Sequence, residues 1–267
     1  MRVFCFTADL DRDVNIRIPG AAAAGSADRG DGNSPRFGSA RAGLDILLEI
    51  LRDAGVKATF FAEGRTLENV SAKGLSEHEV GVHGYDHEDM TSMSGQEIRE
   101  CLGRAVRSVR VAAGRDPVSF RAPYMKINET VLGILPEFGI RYDSSMYAQM
   151  GGSIRPRMLS GGVTEVPVPE GRDRSGNKIA AYLWPMHEGK RMPEDYVNMA
   201  SEIREDIFVL ATHTWHMAES RDRGIMAPDE VSRNAENVRA VIDGIVGMGF
   251  EPMSVSDAAE YFQNGKD

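Results

Sequence analysis

The strongest constraint on what this chain can fold into is an alternation of short β-rich runs with longer amphipathic segments along its length. Val3 to Thr7 is a β-branched and aromatic run that ends in Asp9 and Asp11, the pattern of a buried strand with two carboxylates at its C-terminal end. From Ser39 the spacing predicts a helix: Ser39 stands as N-cap, Leu44, Leu47, Leu48 and Leu51 share one face, and Gly55 follows the end. Further strands are expected at 56–62, 80–83, 118–121, 140–143, 164–168, 179–184, 207–212 and 252–255. Helices are expected at 94–112, after Asn128 to about Phe138, at 194–204 and 229–248, and from Asp257. Residues 19 to 38 collect Gly, Ala, Ser, Asp and Pro without a period and read as a long surface loop.

Strands alternating with helices of this length imply parallel βαβ units. Seven or eight such units in 267 residues predict an α/β fold, one (β/α) barrel formed by a single domain over residues 1–267. An open doubly wound sheet fits less well, because the glycine-rich dinucleotide fingerprint is missing after the first strand. The net charge of -9 argues against a nucleic-acid partner, which needs basic patches to displace counterions. No apolar run reaches the roughly 18 residues of a membrane span. The N-terminal run is too short for a secretory signal, so a cytoplasmic location is expected. Cys5 and Cys101 give no disulfide framework.

The chemistry gathers at predicted strand ends, the face on which a parallel barrel builds its active site. Asp9 and Asp11 follow the first strand, His83 and His87 the third, Arg121 the fourth, Asp143 the fifth, and His213 and His216 the strand ending at Thr212. His83-Gly84-Tyr85-Asp86-His87 spaces two imidazoles four apart, so one helical turn would aim both at one ion. Alone, such a pair is more often two surface or capping histidines than a metal site. A carboxylate from another strand would complete a His₂-carboxylate site with an open position for water. Two carboxylates one residue apart can divide labour, one ligating a metal and the other taking a proton from water. Each could also merely cap a turn. His78 is expected to face solvent, and His187 lies in a loop near the rim.

Together these residues resemble the polysaccharide deacetylases of the NodB-homology type, carbohydrate esterase family 4. Five segments occur in the family's order: Thr7-Ala8-Asp9-Leu10-Asp11, His83 through His87, Arg121-Ala122-Pro123-Tyr124, Asp143-Ser144-Ser145, and Val209-Leu210-Ala211-Thr212-His213. Lys57-Ala58-Thr59-Phe60-Phe61 fits a supporting phrase in the second strand. The resemblance implies a distorted, TIM-like barrel with seven or eight parallel strands and a metal-dependent hydrolase that removes an N-acyl group, acetyl above all, from an amino sugar or glycan precursor. It implies Asp9 as base, Asp11, His83 and His87 as metal ligands, His213 as acid, and Arg121 as the residue that holds the base. The Tyr124 backbone N–H would stabilise the oxyanion, while Trp215 and His216 are candidates for substrate contact.

The chain departs from the family at Gly84, where Ser or Thr usually steadies the turn, and at Met146 and Tyr147, which replace an Asp and a Trp. The second departure leaves the partner of His213 open. The ion is a divalent metal, with zinc the first expectation and cobalt, iron or nickel compatible. The partner is an N-acylated sugar or another small amide. Hydrolysis of a non-sugar amide such as a cyclic imide or ureide, and a non-catalytic metal-binding module, are the alternatives. Several relatives form multimers, so a homo-oligomer is also open. Substrate choice is expected to lie in the loops at 12–38 and 144–163.

Overall fold

A computed structural model describes residues 1–12, 37–204 and 206–265. The long loop expected at 19 to 38 therefore lies almost wholly outside the described residues. The strands run in chain order as β1 Val3–Leu10, β2 Thr59–Ala62, β3 Glu79–Val82, β4 Ser119–Phe120, β5 Tyr142–Asp143, β6 Tyr147–Gln149 and β7 Arg157–Met158. They continue with β8 Thr164–Glu165, β9 Val168–Arg172, β10 Lys178–Ala180, β11 Ile207–His213, β12 Glu219–Ser220, β13 Gly224–Ile225 and β14 Glu251–Pro252.

The main sheet has the order β11-β1-β2-β3-β4-β5-β8-β7, with β14 beside the start of β1. All its pairings are parallel except that of β7 with β8. Seven parallel strands from β11 to β8 thus curl as the expected distorted barrel does. Beyond β11 the wall is extended by residues 181–183. Ala211 donates its N–H to the Ala181 carbonyl, Leu183 donates to Ala211, and Ala181 donates to Pro169 in β9. All eight residues of β1 are buried, as a strand covered on both faces requires. Phe4, Phe6, Phe60, Phe61, Phe120 and Phe208 are fully enclosed in the core they share with the surrounding helices. Truncating any one of them to Ala would cost about 3–5 kcal/mol. No helix among the described residues is long and apolar enough to cross a membrane.

The helices begin and end close to their sequence signals. Gly38–Ala54 stops at Gly55 in the left-handed conformation (φ 66°), but its N-cap is Phe37, and Ser39 lies buried in the first turn. Gly95–Ala113 starts from a full capping box of Ser94 and Glu97. The expected strand at 164–168 is divided into β8 and β9, with Pro167 and Pro169 unable to donate to a continuous ladder. The one expected at 179–184 ends at Ala180, and a short helix, Trp184–His187, opens with Pro185 in its first turn.

Gly43 fixes where the first long helix meets the site. A Cβ there would stand 1.7 Å from the Thr214 carbonyl oxygen, so only glycine lets the helix press against the turn that follows β11.

Candidate active site

Asp9 and His213 are register partners on the adjacent parallel strands β1 and β11, which puts both side chains on one face of the sheet. Thr214 donates its N–H to the Asp9 carbonyl at 2.9 Å and locks the two strand ends together. The fully buried Arg121 reaches Asp9 Oδ1 from the end of β4, with Nη1 at 3.0 Å and the same nitrogen 2.9 Å from Thr7 Oγ1. Its other nitrogens donate to Ser144, Nε to the carbonyl at 2.9 Å and Nη2 to Oγ at 3.0 Å. Burial pushes the Asp9 carboxyl up. The Arg121 charge, then His83 and His213, then a hydrogen bond from Tyr182 outweigh it and bring the group below the ordinary aspartate value. Asp9 is therefore held ionised.

Asp11, His83 and His87 form the second half of the site. All three are buried, and each offers a ligand atom within 4.8 Å of the others. His83 Nδ1 lies 2.8 Å from the Arg121 carbonyl, an acceptor only, so Nδ1 carries the proton and Nε2 keeps its lone pair. That buried Nε2 has no hydrogen-bond partner among the described residues. One carboxylate and two imidazoles converging with such a lone pair fit a divalent cation.

The turn between the two histidines is not helical. Gly84 has φ 71° and His87 φ 57°, both left-handed, and Glu88 Oε2 accepts the N–H of Tyr85 at 3.0 Å and of Asp86 at 2.9 Å. Glu88 thus steadies the turn that a Ser or Thr hydroxyl steadies elsewhere, and the left-handed backbone accounts for Gly84. Asp86 is gripped by Arg12 at 2.7 Å and Arg65 at 2.9 Å, and Arg12 also pairs with the buried Glu63 at 3.0 Å.

A cleft of about 180 Å³ opens onto these groups, lined by Asp9, His83, His87 and His213 with an aromatic wall of Tyr124, Tyr147, Tyr182 and Trp184. Tyr124 (φ 62°) and its neighbour Met125 (φ 55°) are left-handed, and the Tyr124 ring meets His87 edge-on at 4.5 Å. Left-handed backbone at three non-glycine residues of one cleft is strain of the kind found at functional sites.

The structure brings together Asp9, Asp11, His83, His87, Arg121, Tyr124 and His213. Trp215 and His216, by contrast, stack on each other at 4.3 Å, are buried behind His213 and do not line the cleft. His216 Nε2 lies 2.8 Å from Glu188 Oε1. Asp143 turns away into a buried pair with Glu165. Its Oδ1 accepts from Ser145, whose hydroxyl in turn accepts the Ala122 N–H. His187 is buried and shares a hydrogen bond with Thr212 at 2.9 Å. His78 is buried too, against the expectation of solvent, because its Nδ1 accepts the Ala58 N–H at 3.1 Å.

Sequence reasoning missed Tyr182. Its hydroxyl donates to Asp9 Oδ2 at 2.5 Å and stands 3.1 Å from His213 Nε2. Burial and then the Asp9 charge hold the phenol well above its ordinary range, so it remains a proton donor.

Residues 34–142 match the polysaccharide deacetylase family model. Among curated proteins, the peptidoglycan deacetylase-like protein FGM2 of Gibberella zeae is 33% identical over 112 residues, 40% of this chain and 33% of that protein. The peptidoglycan deacetylase of Helicobacter pylori is 27% identical over 126 residues, 46% of this chain and 43% of its own length. The chain thus spans a third to under a half of these curated relatives. A solved Mycobacterium smegmatis structure assigned to the polysaccharide deacetylases superposes with a TM-score of 0.68 at 24% identity, covering 98% of this chain and 90% of that one. Residues 34–142 match the polysaccharide deacetylase model, and the chain shares its fold with the Mycobacterium smegmatis structure and, at a TM-score of 0.53 and 16% identity, with a family 4 carbohydrate esterase from Streptomyces lividans.

Proposed function

We propose that the protein is a metal-dependent hydrolase that removes an N-acyl group, acetyl above all, from an amino sugar. The observation that carries this reading is the meeting of two units in one cleft. Asp11, His83 and His87 offer a compact set of ligand atoms, and beside them His213 Nε2 stands 4.0 Å from Asp9 Oδ2. The match of residues 34–142 to the deacetylase family supports it.

Asp11, His83 and His87 would hold the cation, and one carboxylate with two imidazoles suits zinc first. A divalent ion there polarises the acyl carbonyl and lowers the pKa of water. Asp9, kept ionised and oriented by Arg121, takes the proton of the attacking water. His213, in its imidazolium form, gives a proton to the departing nitrogen and becomes neutral imidazole, so the amine leaves neutral; Asp9 then loses its proton to solvent and His213 regains one. The backbone N–H of Tyr124, a residue that lines the cleft, is assigned to the developing oxyanion.

A second reading, hydrolysis of a compact non-sugar amide, is favoured by the small size of the aromatic-walled cleft. Amine release from N-acetylglucosamine, its oligomers, nucleotide-linked acetamido sugars, cyclic imides and ureides separates the two. Turnover of an acetamido sugar supports the leading reading. Turnover confined to imides or ureides replaces it with the second.

A further inference from the structure

We propose that Arg12 is a positioning residue for the metal centre: its backbone continues from Asp11, its guanidinium grips the peptide that leads into His87, and it thereby sets two ligands from distant segments against each other. The inference rests on the reading of Asp11, His83 and His87 as metal ligands, and adds a residue from outside the five family segments.

Arg12 is itself held first. It is 2% exposed, and the fully buried Glu63, which follows β2, takes it with both carboxylate oxygens: the Arg12 N–H donates to Oε2 at 3.2 Å and Nε to Oε1 at 3.0 Å. Glu63 in turn donates its N–H to the Leu10 carbonyl at 2.9 Å and accepts from Thr66 Oγ1 at 2.6 Å. One carboxylate thus fixes both the backbone and the side chain of the residue next to Asp11. The planar guanidinium loses less freedom per hydrogen bond than an ammonium does, so a buried arginine serves as a rigid strut.

The far end of that strut reaches a residue 74 positions along the chain. Nη2 donates to the Asp86 carbonyl at 3.3 Å and lies 2.7 Å from Asp86 Oδ1. That carbonyl belongs to the peptide joining Asp86 to His87, and His87 has a left-handed φ of 57°, which a residue with a Cβ adopts only under constraint. Arg65 closes the other side of Asp86: Nη2 stands 2.9 Å from Oδ2, and the Arg65 N–H donates to the Tyr85 carbonyl at 2.8 Å. Without Arg12 the His87 peptide loses a bond that keeps it in this conformation, and the imidazole loses its aim at the ion shared with Asp11 and His83.

Charge alone predicts the opposite effect. A guanidinium near a cation site repels the ion, so neutralising Arg12 would tighten binding if the residue acted only as a charge. Calorimetric zinc titration of metal-free protein reads the sign, comparing wild type with Arg12→Gln, Asp86→Asn and the double variant, each shown by its melting curve to be folded. Each single variant is expected to bind zinc about 10- to 100-fold more weakly, the usual worth of a group that orients a metal ligand. The double variant should fall no more than about twofold below the weaker single one, because both substitutions break the same clamp. The visible absorption of the cobalt-loaded protein, which reports ligand geometry, should differ between wild type and R12Q. Binding by R12Q as tight as wild type or tighter overturns the proposal, and so do losses that add fully in the double variant. If R12Q does not fold because Glu63 is left buried without its partner, R12Q/E63Q, which keeps the net charge, decides by the same sign. A wild type that binds no zinc would sink the metal reading itself and this proposal with it, an outcome distinct from tight wild-type binding that the variants leave untouched.

Discussion

Asp9 and His213 sit at the same register position on neighbouring parallel strands, with His213 Nε2 4.0 Å from Asp9 Oδ2. A parallel sheet fixes such a pair without any help from loops, because register partners emerge on the same face at the same height. Replacing His213 by Gln should therefore leave the fold intact while lowering kcat by about 10²- to 10⁴-fold, the usual worth of a general acid. Thermal melting and amine-release kinetics on the same preparation check this. A variant that melts normally and turns over at the wild-type rate would remove His213 from the reaction.

Arg121 should behave differently. It is fully buried, spans Asp9, Thr7 and Ser144, and lies over the Phe61 ring at 4.4 Å. Arg121→Met leaves a buried carboxylate without its charged partner, which costs about 3–5 kcal/mol. Urea unfolding of the variant should show that loss together with a fall in activity at neutral pH, as Asp9 becomes harder to ionise. A loss below about 1 kcal/mol would show that the pair is not the anchor described.

Gly84 is predicted to be intolerant for a geometric reason. Its φ is 71°, and a Cβ would stand 3.0 Å from Glu88 Oε2 and 3.3 Å from Pro123 Cγ. Gly84→Ala should cost about 1–2 kcal/mol for the left-handed backbone alone. It should also weaken zinc binding, because Glu88 must shift while holding the turn between His83 and His87. Calorimetric zinc titration of the variant reads the second effect, and an unchanged affinity would show that the ligands do not depend on this turn.

The buried group behind His213 gives the stability a pH dependence. Burial first, then the neighbouring His216, depresses His187 well below 6.5. Burial also lowers His216, although its bond to Glu188 opposes this. The folded protein keeps both neutral, while the unfolded chain takes up protons near 6.5. As pH falls through that value the unfolded state gains protons that the native state refuses, so stability drops. Burial raises Glu188, but bonds from His216, Ser220 and the Arg221 N–H prevail and hold it at about 2. Its contribution is complete above about 4.5 and is lost between there and about 2. The melting temperature of chelated protein should be flat from pH 8 to 7, fall below 6.5 and fall faster below 4.5. A rise between pH 7 and 5 would contradict these shifts.

Most of the site was legible because its residues stand at strand ends in the order that a parallel barrel requires. Asp9, Asp11, His83, His87, Arg121 and His213 stood out at strand ends, and the family resemblance added Tyr124. Tyr182 was not legible. It sits in the run Ala180-Ala181-Tyr182-Leu183, where an aromatic reads as core, and its partner Asp9 is 173 positions away. Glu88 was equally hidden, since its task of holding two N–H groups follows from left-handed backbone at Gly84. Trp215 and His216 misled by lying next to His213: the turn after β11 carries them behind the acid, where they pack with Glu188.

The most direct test of the central claim is amine release from an N-acetylated glucosamine oligomer by zinc-loaded wild-type protein, beside the chelated form and a zinc-treated Asp11→Asn variant. The zinc-loaded wild type is expected to turn the oligomer over, to lose this activity on chelation and regain it with added zinc, and D11N to fall at least 100-fold together with its zinc affinity. Equal turnover with and without the ion, or a D11N variant that binds zinc and works as wild type does, would contradict the assignment of Asp11, His83 and His87 as the metal site on which the reaction depends.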